Sequence, residues 1–169
     1  MGRYRPPAPR SSPYITGPGA RALRRELQQL WRHNRPEVTK ALAAAAAEGD
    51  RSENAEYTYR KKQLAEIDRR IRYLSKRLDQ IRVVDRPPDD RSRVYFGAWV
   101  GVEQSDGQGR RYRIVGSDET SVELDWISVD SPMALALLGK RLGQSADVVL
   151  PEGNMQLTIL SINYEAEGD

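Results

Sequence analysis

Residues 57–81 of this 169-residue chain read YTYRKKQLAEIDRRIRYLSKRLDQI. Their apolar positions are spaced 7, 3, 4, 3, 4 and 3 residues apart and are occupied by Tyr57, Leu64, Ile67, Ile71, Leu74, Leu78 and Ile81. Such spacing is typical of a helix that packs along another helix through a heptad seam. We expect this helix to run to about Val84, because Pro87 and Pro88 cannot continue it.

The residues before this stretch predict a partner helix. Thr16 suits the N-cap position, and Pro36 predicts a bend or break near Arg35. Gly49 suits the C′ position that ends a helix, and we expect the second helix to begin directly after it. Two helices of roughly 30 residues joined by so short a turn should form an antiparallel coiled-coil hairpin about 45 Å long. The apolar residues of the first helix lie at helical spacing and are Leu23, Leu27, Leu30, Trp31, Val38 and Leu42.

Beyond a polar linker at 87–92, the pattern changes to that of β-strands. Asp106-Gly107 predicts a turn, and Ser131-Pro132 predicts the N-cap and first residue of a short helix that ends near Leu138. The predicted strands are 94–103, 111–118, 122–129, 147–150 and 155–164. The predicted fold class is α+β, with a disordered basic tail over 1–13, an N-terminal antiparallel helical hairpin over 14–86, and a small antiparallel β-sheet domain with one short helix over 93–169.

The composition excludes several classes of site. The chain has no cysteine, so disulfides and thiolate metal sites are excluded, and the single histidine, His33, leaves little room for a histidine-based catalytic or zinc site. No apolar run approaches the roughly 18–20 residues that cross a membrane, and no secretion signal opens the chain. We therefore expect a cytoplasmic protein with no membrane partner. The three tryptophans, Trp31, Trp99 and Trp126, are expected to lie in the core, and an interface role stays open for Trp99 and Trp126 because tryptophan is enriched at binding hot spots.

The net charge of +3 conceals a strong asymmetry. Residues 1–86 contain 20 Lys and Arg against 10 Asp and Glu, whereas residues 87–169 contain 7 against 14. Such a split indicates two domains with different partners. The basic half suits RNA, DNA or an acidic protein channel, and the acidic half does not favour nucleic acid.

Carboxylates are concentrated at the turn of the predicted hairpin, where Glu48, Asp50, Glu53 and Glu56 lie within nine residues. Asp50 and Glu53 have the three-residue spacing of a capping box, which satisfies free N–H groups at a helix start. The same pair can bind Mg²⁺, because this ion takes one or two protein carboxylates and fills its remaining positions with water or phosphate. On spacing alone, both interpretations stay open.

Two further sets of polar residues are candidates. The basic residues of the second helix form either a solvated surface or an electrostatic contact to RNA phosphates, and they are Arg60, Lys61, Lys62, Arg69 and Arg72. Asp130, Ser131 and Pro132 open the short helix of the second domain and indicate a helix cap.

Several segments together resemble the Gre family of bacterial transcript-cleavage factors, and the GreB type more than GreA. The resemblance covers about residues 14–165, and residues 1–13 have no counterpart in the family pattern. It rests on separate motifs in the same order along the chain: WR (31–32), RPEVTK (35–40), GDRSENA (49–55), RKK (60–62), EIDRR (66–70), YFGAWV (95–100) and ISVDSPMA (127–134).

The resemblance implies an FKBP-like fold for the second domain and a role on RNA polymerase. The hairpin would enter the secondary channel of the polymerase, where Asp50 and Glu53 would complete a second Mg²⁺ site and promote hydrolysis of backtracked RNA. The basic residues would contact the 3′ segment of that RNA, and Asp130, Ser131 and Pro132 would dock on the channel rim. Because the polymerase supplies the catalytic centre, the chain is expected to be a monomeric accessory factor and not an enzyme.

Three other functions compete with this one. A prolyl isomerase needs an apolar, aromatic-lined pocket, for which the second domain has few spare aromatic residues. A channel-binding inhibitor of the polymerase without cleavage activity would share the architecture, yet it does not need Asp50 and Glu53. A simple coiled-coil adaptor leaves the acidic turn and the second domain unexplained.

Overall fold

The computed structural model describes residues 11–49 and 54–164, which form two compact units. Residues 20–81 form a helical unit, and the described residues before and after it form a unit built on a β-sheet. Within the described ranges, no helix is both long and apolar enough to span a membrane.

The first arm of the hairpin consists of three helical segments in succession: α1 (Gly17–Gln29), a π-helical turn (Leu30–Asn34) and α2 (Arg35–Ala47). The prediction that Thr16 caps this arm is confirmed, because its hydroxyl oxygen accepts a hydrogen bond from the N–H of Gly19 at 3.1 Å. Glu119 holds the cap in place, since its carboxylate accepts from the Thr16 hydroxyl and, at 3.0 Å, from the Thr16 N–H. The helix start is therefore anchored by a residue 103 positions away.

The π-helical turn accommodates Pro36 without a break in the helix. Asn34 and Arg35 keep right-handed helical dihedral angles, so a break near Arg35 is wrong, whereas the bend that was predicted as its alternative stays a prediction. The N–H of Arg35 donates to the carbonyl oxygen of Leu30, five residues back, and such a widened turn adapts the helix to a proline that has no N–H. Trp31 lies in this turn and is 58% exposed, so its predicted core position is wrong. A helix buries one stripe, and Leu30 occupies it here.

The second arm is α3 (Ala55–Gln80), which begins later and ends earlier than predicted. It begins at Ala55 because Asn54 is its N-cap, with the side-chain oxygen accepting from the N–H of Tyr57 at 3.0 Å. The predicted continuation to Val84 is wrong, because Arg82–Val84 forms a strand, β2, that pairs in parallel with β1 (Tyr14–Thr16). The β-branched side chains of this strand favour extended pairing over another helical turn.

The predicted seam joins the two arms. Two ion pairs also cross between them, since Arg35 Nε lies 2.8 Å from Asp68 Oδ1 and Arg70 donates two hydrogen bonds to Glu26 at 2.6 and 2.8 Å. Exposed pairs of this kind contribute little stability, so apolar burial holds the hairpin together. One cluster in this seam has Val38, Ile67 and Ile71 as its buried residues, with Leu27, Leu30 and Leu64 packed against them, and Leu74 of the seam is fully buried as well.

The predicted sheet domain with one short helix is confirmed. Its five strands are β3 (Trp99–Gln104), β4 (Gly109–Val115), β5 (Trp126–Ser128), β6 (Ser145–Leu150) and β7 (Gly153–Asn163). Their spatial order is β5-β4-β3-β7-β6. Adjacent strands are antiparallel except β4 and β5, which are parallel because residues 116–125 carry the chain back before β5 begins. The likeness to FKBP stays a prediction.

One face of the sheet carries the core of this unit. Val100, Ile114 and Leu157 are fully buried there and belong to the same cluster as residues of the short helix α4 (Pro132–Leu137). Because successive strand residues point to opposite faces, Trp99 lies on the other face, as does its neighbour in register across β4, Trp126. Both tryptophans are half-buried, so their predicted core position is wrong.

Residues 94–98 include a turn at Phe96 and Gly97 and do not join the sheet, so the strand predicted over 94–103 begins only at Trp99. The hydroxyl of Tyr164 donates to the carbonyl oxygen of Arg93 and accepts from the N–H of Tyr95 at 2.8 Å. These backbone groups therefore bond to a side chain in place of a neighbouring strand. Burial of the Tyr164 phenol is the main cause that raises its pKa, which keeps the donor protonated.

Asn54 joins the two arms as well as capping α3, because its Nδ2 donates to the carbonyl oxygen of Ala45 at 2.7 Å. We predict that Asn54→Ala lowers the free energy of unfolding of the helical unit by about 1 kcal/mol, since both bonds are lost. Asn54→Asp keeps the capping oxygen and loses only the bond to Ala45, so its free energy of unfolding should lie between those of Asn54→Ala and the wild type. Thermal unfolding followed by circular dichroism measures the difference. Two variants that melt like the wild type would show that Asn54 does not hold the turn.

Candidate functional site

The turn of the hairpin is described at both of its ends. α2 has Glu48 as its C-cap, and Gly49 follows with a φ of +140°, so the prediction that Gly49 ends the helix at C′ is confirmed. Asp50 and Glu53 lie outside the described residues. Because the N-cap of α3 is Asn54, the interpretation of Asp50 and Glu53 as its capping box is wrong.

Magnesium binding at the turn stays a prediction. Among residues 11–49 and 54–164, no group of three or more Asp, Glu and His side chains is placed to hold a metal ion. Two carboxylates from Asp50 and Glu53 suit Mg²⁺ in chemical type, since it prefers oxygen ligands and usually takes only one or two from protein side chains. Its remaining ligands would have to come from another molecule.

The exposed side of α3 carries a continuous line of cations, the basic stripe, which consists of Lys61, Lys62, Arg69, Arg72 and Lys76. At roughly 100° per residue, these positions fall within one sector of about 100° of the helix surface, and the line is about 22 Å long. Ala65 also lies in this sector, so no acidic side chain interrupts the stripe between its ends. Lys76 was absent from the predicted set, although it follows Arg72 by four positions and so shares its face.

Arg60 does not lie with the basic stripe, although it was predicted to act with it. It precedes Ile67 by one heptad and is half-buried on the seam side of α3. Its Nε lies 2.7 Å from Glu56 Oε1, and its Nη1 donates to Gln63 Oε1 at 3.1 Å. Its guanidinium carbon also lies 5.4 Å from the ring centre of Tyr59. Arg60 therefore contacts other side chains of α3 on the helix surface near the turn.

The predicted docking loop, Asp130-Ser131-Pro132, opens α4 as expected. Ser131 is the N-cap, because its hydroxyl oxygen accepts from the N–H of Ala134 at 3.1 Å, and Pro132 occupies the first helical position. Asp130 takes no part in the cap. Its exposed carboxylate accepts from the N–H of Ser12 at 2.8 Å, so the loop presents an acid and a proline at the surface of the sheet unit.

Capping and surface presentation can therefore be separated by mutation. We predict that Ser131→Ala lowers the free energy of unfolding of the sheet unit by about 1 kcal/mol, because the N-cap bond is lost. Asp130→Ala should unfold as the wild type does to within about 0.5 kcal/mol, since it removes only an exposed contact. Thermal melts of the two single variants compare these effects. An equal loss in both would place Asp130 in the cap.

Comparison with known families covers most of the chain. The family described as "Transcription elongation factor, N-terminal" matches residues 13–83. The family described as "Transcription elongation factor, GreA/GreB, C-term" matches residues 88–164. The two matches divide the chain between the helical hairpin and the sheet.

Individual relatives agree over nearly full length. Transcription elongation factor GreB of Xanthomonas axonopodis pv. citri is 58% identical over 165 residues, which cover 97% of this chain and 98% of the relative. Transcription elongation factor GreB of Pseudomonas aeruginosa is 52% identical over 164 residues, with the same coverage of both chains. Among solved structures, the GreA factor homolog 1 protein of Thermus thermophilus is 25% identical with a TM-score of 0.40, and the match covers 89% of this chain and 97% of that one.

Proposed function

Because the chain belongs to the GreA/GreB family of transcription elongation factors, we propose that it binds RNA polymerase, inserts its helical hairpin into the secondary channel and stimulates cleavage of backtracked RNA. In this proposal the polymerase contributes the catalytic centre. The chain acts beside it in the cytoplasm as a monomeric accessory factor, not as an enzyme in its own right.

The basic stripe is the observation that carries this proposal. Its five cations are exposed and lie in line along the arm that follows Asp50 and Glu53. The apolar residues of the hairpin are used in the seam, so the stripe is free of any packing role within the helical unit. A line of Lys and Arg suits the phosphates of an extended RNA strand and reads no base sequence.

The acids of the turn complete the proposal. Asn54 already caps α3, so Asp50 and Glu53 are not required for the helix start. We propose that both carboxylates hold Mg²⁺ together with the polymerase active site. A metal bound there supplies charge stabilisation to the oxygens that attack and leave in phosphodiester hydrolysis. The sheet unit would dock on the channel rim through Asp130, Ser131 and Pro132.

Substitutions of the acids at the turn should reduce RNA cleavage without reducing binding to the polymerase. We predict that Asp50→Ala and Glu53→Ala each lose about 10–100-fold in RNA-cleavage stimulation, as expected when a metal ligand or its support is removed. Both should still compete with the wild type for polymerase, because docking is spread over the hairpin and the sheet unit. Glu48→Ala is the matched control, since it removes a neighbouring acid of the same turn. The assay uses stalled, backtracked elongation complexes with Mg²⁺.

Two outcomes would contradict the proposal. Variants that neither cleave nor compete would show that the acids serve binding. A wild-type chain that inhibits the polymerase without cleavage would make it a channel-binding inhibitor.

RNA contact along the stripe should depend on how far the polymerase has backtracked. We predict that the quadruple variant of Lys61, Lys62, Arg69 and Arg72 to Ala slows cleavage on the order of tenfold in deeply backtracked complexes, where more RNA phosphates lie in the channel. Complexes backtracked by few nucleotides should lose less. Polymerase occupancy is kept saturating in both.

The matched control neutralises four exposed arginines of the first arm, Arg21, Arg24, Arg25 and Arg32, and thus makes the same change in charge. It should slow both kinds of complex alike or not at all. Equal losses in the stripe variant on deep and shallow complexes would leave the stripe as a solvated surface.

A further inference from the structure

The acid of the docking loop is held by a residue near the start of the chain. Asp130 Oδ2 accepts a hydrogen bond from the N–H of Ser12 at 2.8 Å, although Ser12 precedes it by 118 positions. The donor is a backbone group, so this bond depends on the path of the chain and not on the side chain at position 12. Such a bond can orient the Asp130 carboxylate only if the backbone is fixed at both of its ends.

The backbone next to Ser12 is fixed by β1. The carbonyl oxygen of Pro13 accepts a hydrogen bond from the N–H of Arg82 at 2.7 Å, and β1 follows directly and pairs with β2. The ring of Tyr14, the first residue of β1, lies 5.9 Å from the ring of Phe96 between their centres. The N–H of Ser12 therefore lies two positions before an anchored strand.

β1 is itself held against the end of β4. Glu119 Oε2 accepts hydrogen bonds from the N–H of Thr16 at 3.0 Å and from the N–H of Gly116, which follows β4, at 2.9 Å. A Cβ atom at Gly116 would lie 2.6 Å from the carbonyl oxygen of Tyr14, so only glycine allows the two backbones to approach so closely.

The backbone on the Asp130 side is attached to the same end of β4. The N–H of Val129 donates to the carbonyl oxygen of Val115, the last residue of β4, at 2.8 Å. The N–H of Asp130 donates to Ser128 Oγ at 3.1 Å, and the N–H of Ser131 donates to the carbonyl oxygen of Ser128 at 2.9 Å. The backbone is thus held on both sides of Asp130, and the bond from Ser12 restricts the side chain as well.

We propose that Ser12 is a positioning residue of the docking loop, whose N–H holds the Asp130 carboxylate in the orientation that meets a Lys or Arg side chain of the polymerase. This inference rests on the proposed function, in which Asp130 docks on the channel rim. It adds a residue outside the loop and the chemistry of the group that the loop contacts.

The geometry favours orientation of the acid over its obstruction. A carboxylate has about four lone-pair sites, so one N–H occupies only part of it, and Asp130 stays exposed. The remaining sites can accept charge-assisted hydrogen bonds from a cation. A side chain that is already held loses less conformational entropy when it binds, which strengthens the association.

The test compares two substitutions of Ser12 in the full chain. Ser12→Pro removes the N–H, and a proline suits this position because the residue before Pro13 favours extended backbone. Ser12→Ala is the matched control, since it keeps the N–H. Each variant displaces labelled wild-type chain from RNA polymerase. We expect Ser12→Pro to bind roughly threefold to tenfold more weakly, as the loss of one hydrogen bond implies, and Ser12→Ala to bind like the wild type.

A double-mutant cycle connects this effect to Asp130. In Asp130→Ala, which lacks the acceptor, the addition of Ser12→Pro should cause no further loss of affinity. Thermal melts establish that each variant is folded. If Ser12→Pro unfolds, deletion of residues 1–12 replaces it, with deletion of residues 1–10 as the control that keeps the Ser12 N–H.

The hydrogen bond is also measured without polymerase. The amide proton resonance of Ser12 should shift in Asp130→Ala, and an unchanged resonance would overturn the inference. Tighter binding of Ser12→Pro would show that the bond obstructs the acid, and additive losses in the double variant would show that Ser12 acts independently of Asp130. If Asp130→Ala binds like the wild type, the docking role of Asp130 fails together with the inference. If Asp130→Ala binds weakly while Ser12→Pro and Ser12→Ala bind alike, only the inference fails.

Discussion

Burial of Val38, Ile67 and Ile71 between the two arms is the interaction on which the rest of the helical unit depends. Each such side chain contributes about 1.5–3 kcal/mol when it leaves water, whereas an exposed ion pair such as Arg35–Asp68 contributes about 0–1 kcal/mol. The seam also fixes the rotation of α3 about its own axis. Once the apolar positions face the first arm, the basic stripe has to face outward, and a residue in register with the seam, such as Arg60, cannot join it.

The ends of the helices are fixed by side chains that the seam does not specify. Thr16, Asn54 and Ser131 each accept a hydrogen bond from a free N–H of the helix that they cap. The cap at Asn54 has the clearest consequence for function. It satisfies the start of α3 from a position just after the acidic turn, so Asp50 and Glu53 have no capping role to fulfil there.

The sheet unit separates its two faces chemically. One face is apolar and packs with α4. The other carries Trp99 and Trp126, and the guanidinium carbons of Arg111 and Arg113 lie within 6 Å of the centres of their indole rings. In the sequence, a half-buried tryptophan on the outer face of a strand cannot be told from a core residue, because the residues of either face recur at every second position of the strand. Their guanidinium neighbours, which are adjacent only through strand pairing, distinguish the two faces.

The amino-acid pattern is enough to predict the hairpin, the caps at Thr16 and Ser131, the end of α2 at Gly49, and four of the five basic residues of the stripe. These features depend on residues within about one or two helical turns of each other, so local spacing specifies them. The tertiary structure is needed to show that Arg82–Val84 is a strand, that β5 runs parallel to β4, that Glu119 anchors Thr16, and that Trp31, Trp99 and Trp126 lie outside the core. Each of these depends on a partner far away along the chain or on the choice between two faces, and neither is encoded in the pattern of neighbouring residues.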